Sequence, residues 1–153
     1  MRYLLDTHCF LWNFREPGRL SHGARSVLSD PNAALWLSIA SIWEIVIKER
    51  SGKLTLPEPV SDFVDSRMTA LGCAVLAIEQ PHLRVLASLD MHHRDPFDRM
   101  LVAQAKHEDM TLVTVTMRCA RMACRSSGRS SQPPLDEHDQ ADLHGRRARR
   151  RAR

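Results

Sequence analysis

Four short apolar runs, separated by stretches with helical spacing, constrain this chain more than any other feature of its sequence. Arg2-Tyr3-Leu4-Leu5 ends on Asp6, residues 33–37 and 73–78 are two further runs, and Thr111-Leu112-Val113-Thr114-Val115 is a β-branched fourth. Helix signals lie between them. Phe10, Leu11 and Phe14 share a face within residues 8–14, and Ser21 reads as the N-cap of a helix to about Leu28 that Asp30-Pro31 stops. Residues 38–50 predict a strong helix with Gly52 just past its end, residues 59–71 another closed by Gly72, and residues 79–89 one more. Asp95-Pro96-Phe97-Asp98 opens a last helix to about His107, with a capping aspartate, a proline in the first turn and an acid at the third position. Strands alternating with helices mean βαβ units, so the fold class is α/β with a central parallel sheet. Chemistry in such sheets gathers beyond the carboxyl ends of the strands. No internal repeat and no glycine-rich phosphate loop is present.

A chain of 153 residues is one domain, or one domain and a tail. With 43% hydrophobic and 26% charged residues it can bury a core, which excludes full disorder. No apolar run approaches the ~20 residues a bilayer crossing needs, and Asp6 arrives too early for a signal peptide, so no membrane association and a cytoplasmic location are expected. Cys9, Cys73, Cys119 and Cys124 form no Cys-x-x-Cys pair, which fits reduced thiols. The net charge of +4 is unevenly spread. Residues 1–116 hold 12 Lys+Arg against 14 Asp+Glu, whereas residues 117–153 hold 10 Arg against 4 acids. The body is mildly acidic, so a polyanion must be met at a local site or by the tail. That tail has no Val, Ile, Thr or aromatic residue and only two leucines. It lacks the apolar area to offset its ordering entropy, so a domain over 1–116 and a disordered tail over 117–153 are expected.

Four acids in the body stand where a carboxylate needs a reason. Asp6 ends the first strand, where it is either a turn residue or a ligand. Glu44 lies inside Ile39-Ala40-Ser41-Ile42-Trp43-Glu44-Ile45-Val46-Ile47, a helix apolar nearly all round. A buried, unpaired carboxylate costs several kcal/mol, so Glu44 requires a cation, a donor network or a proton; an ion pair with a distant arginine is the plain alternative to a functional role. Asp95 and Asp98 would each stabilise a helix start by roughly 0.5–1 kcal/mol as capping acids, and Asp98 could equally be a ligand at the same sheet edge. His92-His93 precede them, but adjacent histidines rarely point at one ion. Carboxylates gathered at one edge repel one another unless protons or a divalent cation sit among them. Oxygen-only ligands select hard ions, Mg2+ or Mn2+, and such ions serve phosphoester chemistry.

Several blocks together carry a resemblance. They are Leu4-Leu5-Asp6-Thr7-His8 with Leu11-Trp12, then Ser38-Ile39-Ala40-Ser41-Ile42-Trp43-Glu44-Ile45, then Lys48 and Gly52-Lys53-Leu54, and finally the run from His92-His93-Arg94-Asp95 through Gln104-Ala105. In order and spacing they resemble the PIN-domain ribonucleases, and among these the VapC-type toxins of toxin–antitoxin pairs. The resemblance covers residues 2–116. It implies an α/β/α sandwich, RNA cleavage with Mg2+ or Mn2+, and Asp6, Glu44 and Asp98 as catalytic, metal-binding acids with Asp95 an auxiliary. It also implies a homodimer and a cognate antitoxin protein that silences the enzyme.

One departure bears on activity. The family pattern has an acid shortly after the strand matching Leu112-Val113-Thr114, and this chain has Thr116. Beyond it the family's final elements are unrecognisable and an Arg/Ser-rich segment takes their place, the pattern that a shifted reading frame leaves. The first expectation is therefore a metal-dependent endoribonuclease weakened by the missing fourth acid. The alternative is an inactive PIN-like remnant that binds an antitoxin, or binds RNA through its basic tail. A haloacid-dehalogenase-like phosphatase also starts from a strand-end aspartate, but it requires a second aspartate where this chain has His8.

Overall fold

The computed structural model describes residues 1–90 and 95–114. Strand β1 (Arg2–Leu5) leads into α1 (Thr7–Arg15), a 3-10 turn (Pro17–Arg19) and α2 (His22–Leu28). Then follow β2 (Ala34–Ser38), α3 (Ile39–Arg50), α4 (Val60–Leu71) and β3 (Ala74–Leu76). Helices α5 (Gln80–Ser88) and α6 (Pro96–His107) precede β4 (Thr111–Val113). All four strands are parallel, in the order β3-β2-β1-β4. The registers place Leu4 between Trp36 and Leu112.

Strand residues one apart point to opposite faces of a sheet, and the core divides accordingly. Leu5, Leu35, Leu37 and Val113 join Phe10 of α1, Ile45 of α3 and Phe63 of α4 on one face. Leu4, Trp36 and Leu112 pack with Leu101 and Ala105 of α6 on the other. The result is a three-layer α/β/α sandwich, as the sequence predicts. Both faces of β1 are covered, and Leu4 and Leu5 are fully buried.

The strand order positions the site. From β1 the chain moves outward to β2 and β3, then returns to place β4 on the other side of β1. This reversal opens a crevice between β1 and β4 at their carboxyl ends. The Asp6 amide donates to the Val113 carbonyl there at 3.0 Å. The predicted element ends move by a residue or two. Asp6 and Ser38 are N-caps, accepting from the His8 and Ala40 amides, so α1 starts at Thr7 and α3 at Ile39. Gly72 closes α4 in the left-handed conformation, φ 59°, as its predicted place past the helix end requires. The residues 117–153, Val115, Thr116 and His92-His93 lie outside the described residues, as do Cys119 and Cys124.

Candidate active site

Every acid singled out by the sequence leaves the same edge of the sheet. Asp6 follows β1, Glu44 stands on the helix that follows β2, and Asp95 and Asp98 occupy the start of α6. Asp95 is the N-cap of α6, its Oδ1 accepting from the Phe97 amide at 2.8 Å and the Asp98 amide at 3.4 Å. That capping role and a place beside the site coexist. Asp98 is exposed at the rim, yet its carboxyl is pushed above the usual aspartate range. Loss of surrounding water is the first cause, and the charges of Asp95, Asp6 and Glu44 add to it, while His8 opposes them. Asp6, Glu44, Asp95 and Asp98 thus share one electrostatic neighbourhood.

Glu44 is 6% exposed, and its partner is local. Lys48, one helical turn on, brings its Nζ to 2.7 Å from Glu44 Oε1. The same Nζ lies 3.1 Å from His8 Nε2. An ammonium has only donors, so in the neutral ring Nε2 accepts and the proton sits on Nδ1, 3.8 Å from Asp6 Oδ1. The Asp6 carboxylate lifts His8 above the usual imidazole range against burial and the Lys48 charge, with Glu44 adding to the rise. Lys48 and His8 therefore tie the Glu44 and Asp6 carboxylates into one network.

Three hydroxyls bear on what this edge can hold. Thr7 Oγ1, Ser41 Oγ and Thr114 Oγ1 are buried without a hydrogen-bond partner among the described residues. Thr7 follows Asp6, Ser41 is one turn before Glu44, and Thr114 leaves β4. Buried hydroxyls are nearly always satisfied, so three at one edge beside four carboxylates suit a hydrated hard cation. The donor set is all oxygen, and Mg2+ and Mn2+ fit it.

Below the edge, Gln104 is fully buried and binds three segments together. Its Oε1 accepts from Ser38 Oγ at 2.6 Å, and its Nε2 donates to the Ala77 carbonyl at 3.0 Å. Ends of β2 and β3 are so fastened to α6, which carries Asp98.

Among the described residues, the side chains whose ligand atoms converge within 4.8 Å lie elsewhere: His82, His107 and Glu108. Sequence reasoning did not single them out, yet they do not make a metal centre. His82 Nδ1 accepts from the Glu79 amide at 3.0 Å, so Nε2 carries the proton and donates to Glu108 Oε1 at 3.3 Å. Neither nitrogen has a lone pair left for a metal. The cluster is a clamp, completed by Arg2 on Glu108 Oε2 at 3.1 Å.

Comparison with known proteins agrees with this architecture. The PIN domain family model matches residues 3–123. Ribonuclease VapC16 of Mycobacterium tuberculosis (strain ATCC 25618 / H37Rv) is 40% identical over 58 residues, 38% of this chain and 41% of that protein, so the match spans under half of this relative's length. Among solved structures, VapBC2 from Rickettsia felis bound to a DNA fragment from their promoter is similar at a TM-score of 0.58. It is 16% identical, over 74% of this chain and 87% of that one. VapBC-1 from nontypeable Haemophilus influenzae is similar at a TM-score of 0.51 and 15% identity, over 76% of this chain and 87% of that one. At these identities the structural likeness is one of fold. The family match spans most of the sequence, and this chain belongs to the PIN domain family.

Proposed function

We propose that the chain is a metal-dependent endoribonuclease that cleaves RNA phosphodiester bonds, the toxin of a toxin–antitoxin pair. The observation that carries the reading is Glu44, a carboxylate buried in an apolar helix and sharing one sheet edge with Asp6 and Asp98. Asp6, Glu44 and Asp98 would hold the ion, with Asp95 auxiliary. When bound, a divalent cation neutralises charge developing at phosphorus and makes water a better nucleophile. The chain's own part is positioning. The Ser38–Gln104–Ala77 bonds fix the helix starts, and the Lys48–His8 network sets the Glu44 and Asp6 carboxylates. Similarity to VapC16 and to the two VapBC structures supports an antitoxin partner. A homodimer is supported by the stripe of Ile39, Trp43 and Ile47, all exposed at helical spacing on α3, where Trp43 is 58% exposed. No helix among the described residues is long and apolar enough to cross a membrane.

The test is cleavage of single-stranded RNA by the full-length protein in Mg2+ or Mn2+ and in chelator. Asp6→Asn, Glu44→Gln and Asp98→Asn should each remove most activity while circular dichroism stays unchanged. A second reading rests on the 2.7 Å Lys48 contact, which makes Glu44 a structural ion-pair member with no part in the chemistry. Under that reading Glu44→Gln loses the fold and leaves activity per folded molecule unchanged, which would overturn the assignment. Thr116, uncharged where the family pattern has an acid, is consistent with weak activity that needs high metal concentrations.

A further inference from the structure

Beside the acidic edge, and sharing His8 and Lys48 with it, lies a cavity of about 310 Å³. That is the small end of ligand-binding clefts, roughly 300–1,000 Å³, and suits one nucleotide. Arg15, Glu16, Lys53, Trp12 and Leu54 complete its working walls. Most charges around it are already paired. Glu16 pairs with Arg19 at 3.2 Å, and Lys48 pairs with Glu44. Arg15 and Lys53 have no ion-pair partner among the described residues. In a body with more acids than bases, two exposed cations without an ion-pair partner on one small cavity favour an anion there.

The cavity is built firmly. After α3 the chain turns back at Gly52, φ 71°, so that the Lys53 and Leu54 amides both donate to the Lys48 carbonyl, at 2.9 and 3.0 Å. Lys53 is thereby held next to Lys48. The Arg19 guanidinium lies 3.9 Å from the centre of the Trp12 ring and anchors that wall. Cations beside an apolar, partly aromatic wall are the pair of features that single-stranded nucleic acid requires.

We propose that this cavity is the subsite for the nucleotide adjoining the one cleaved, with Arg15 and Lys53 on its phosphate and Trp12 and Leu54 against its base. The proposal rests on the endoribonuclease reading and names where its substrate is gripped. The probe is a nucleoside 3′,5′-bisphosphate, which has no scissile internucleotide bond, titrated calorimetrically into the full-length protein in chelator. The doubly substituted protein Arg15→Ala/Lys53→Ala should bind it at least about tenfold more weakly, the equivalent of ~1.4 kcal/mol. Trp12→Ala should weaken the bisphosphate but not ribose 5-phosphate, which lacks a base. Arg25→Ala, an exposed cation on α2 away from the cavity, should bind as the parent does. On an RNA oligonucleotide in Mn2+, the double variant should raise KM about tenfold and keep kcat within twofold. Unchanged bisphosphate affinity in the double variant overturns the proposal. So does loss of affinity for an acidic peptide with nucleotide affinity intact, which would make the cavity a protein-docking site. If the parent binds the bisphosphate through Arg15 and Lys53 yet cleaves no RNA in either metal, the subsite stands and the ribonuclease reading falls.

Discussion

At the scale of single residues, Glu44 and Asp98 pose opposite electrostatic problems. Glu44 is buried, and Lys48 resolves its charge locally at 2.7 Å. Its burial was legible in the sequence, because an acid inside an apolar helix has nowhere else to go. Its partner is not the distant arginine that burial alone suggests but Lys48, four residues on, where helix geometry places neighbours. Asp98 is exposed but crowded by Asp95, Asp6 and Glu44, and it holds its proton more tightly in the native state than in the unfolded chain. Its ionisation therefore works against folding. Stability should fall as pH rises from the ordinary aspartate value of about 3.9 through the raised native one, and stay lowered above it. Asp98→Asn should remove that fall, so the variant should melt higher than the parent at neutral pH in chelator. Saturating Mn2+ should raise the melting temperature of the parent more than that of the variant. A melting temperature that is equal for the two in chelator across pH 3–8 would show that Asp98 feels no such crowding.

Among the elements, α6 was the most legible at its start and the least at its end. Asp95-Pro96 announces the first turn, and the structure uses both residues as their types dictate. The interior was harder. Gln104 sits in the run Met100-Leu101-Val102-Ala103-Gln104-Ala105, and periodicity shows only that it is buried. What it binds, Ser38 and Ala77, is 66 and 27 residues away, so no local pattern could name it. Gln104→Ala strands the Ala77 carbonyl and leaves a cavity between sheet and helix. It should lower unfolding free energy in urea by about 2–3 kcal/mol, and a loss below half of this would show that water replaces the amide without penalty. At the other end Glu108 caps α6 and joins α5 and β1 through His82 and Arg2. Burial works against its charge, but Arg2 and His82 outweigh it and hold the carboxyl below the usual glutamate range. A depressed native value contributes stability above the ordinary glutamate range and loses it as pH falls through that range towards the native value. Glu108→Gln should therefore destabilise at pH 7 and converge with the parent in acid. Parallel melting curves from pH 7 to pH 3 would contradict the clamp.

For the molecule as a whole, the α/β class and the parallel sheet were legible because short apolar runs and capped helices alternate. Leu4 and Leu5 show why: adjacent apolar residues in one strand demand cover on both faces. Strand order was not legible, since nothing in Thr111-Leu112-Val113 says that it pairs with β1 and not with β3. Yet that pairing brings Thr114 to Asp6 and so makes the crevice. Charge is likewise a property of the whole chain. The body has an excess of acids, while residues 117–153 hold 10 of the 22 Lys+Arg. Binding of RNA should then divide into two parts, a localised one on Arg15 and Lys53 and a diffuse one on the terminal arginines. Counterion release separates them, because the logarithm of the binding constant falls with the logarithm of salt in proportion to the phosphates neutralised. Replacing Arg146, Arg147, Arg149, Arg150, Arg151 and Arg153 with glutamine in the full-length chain removes six charges. The salt slope for a single-stranded RNA should flatten by up to about 4, at ~0.7 per phosphate contact, with affinity at high salt little changed. Arg15→Ala/Lys53→Ala should do the reverse, flattening the slope by no more than about 1.4 while lowering affinity at every salt concentration. A slope untouched by the six substitutions would place all the phosphate contacts in the body and leave the terminal arginines without a part in RNA binding.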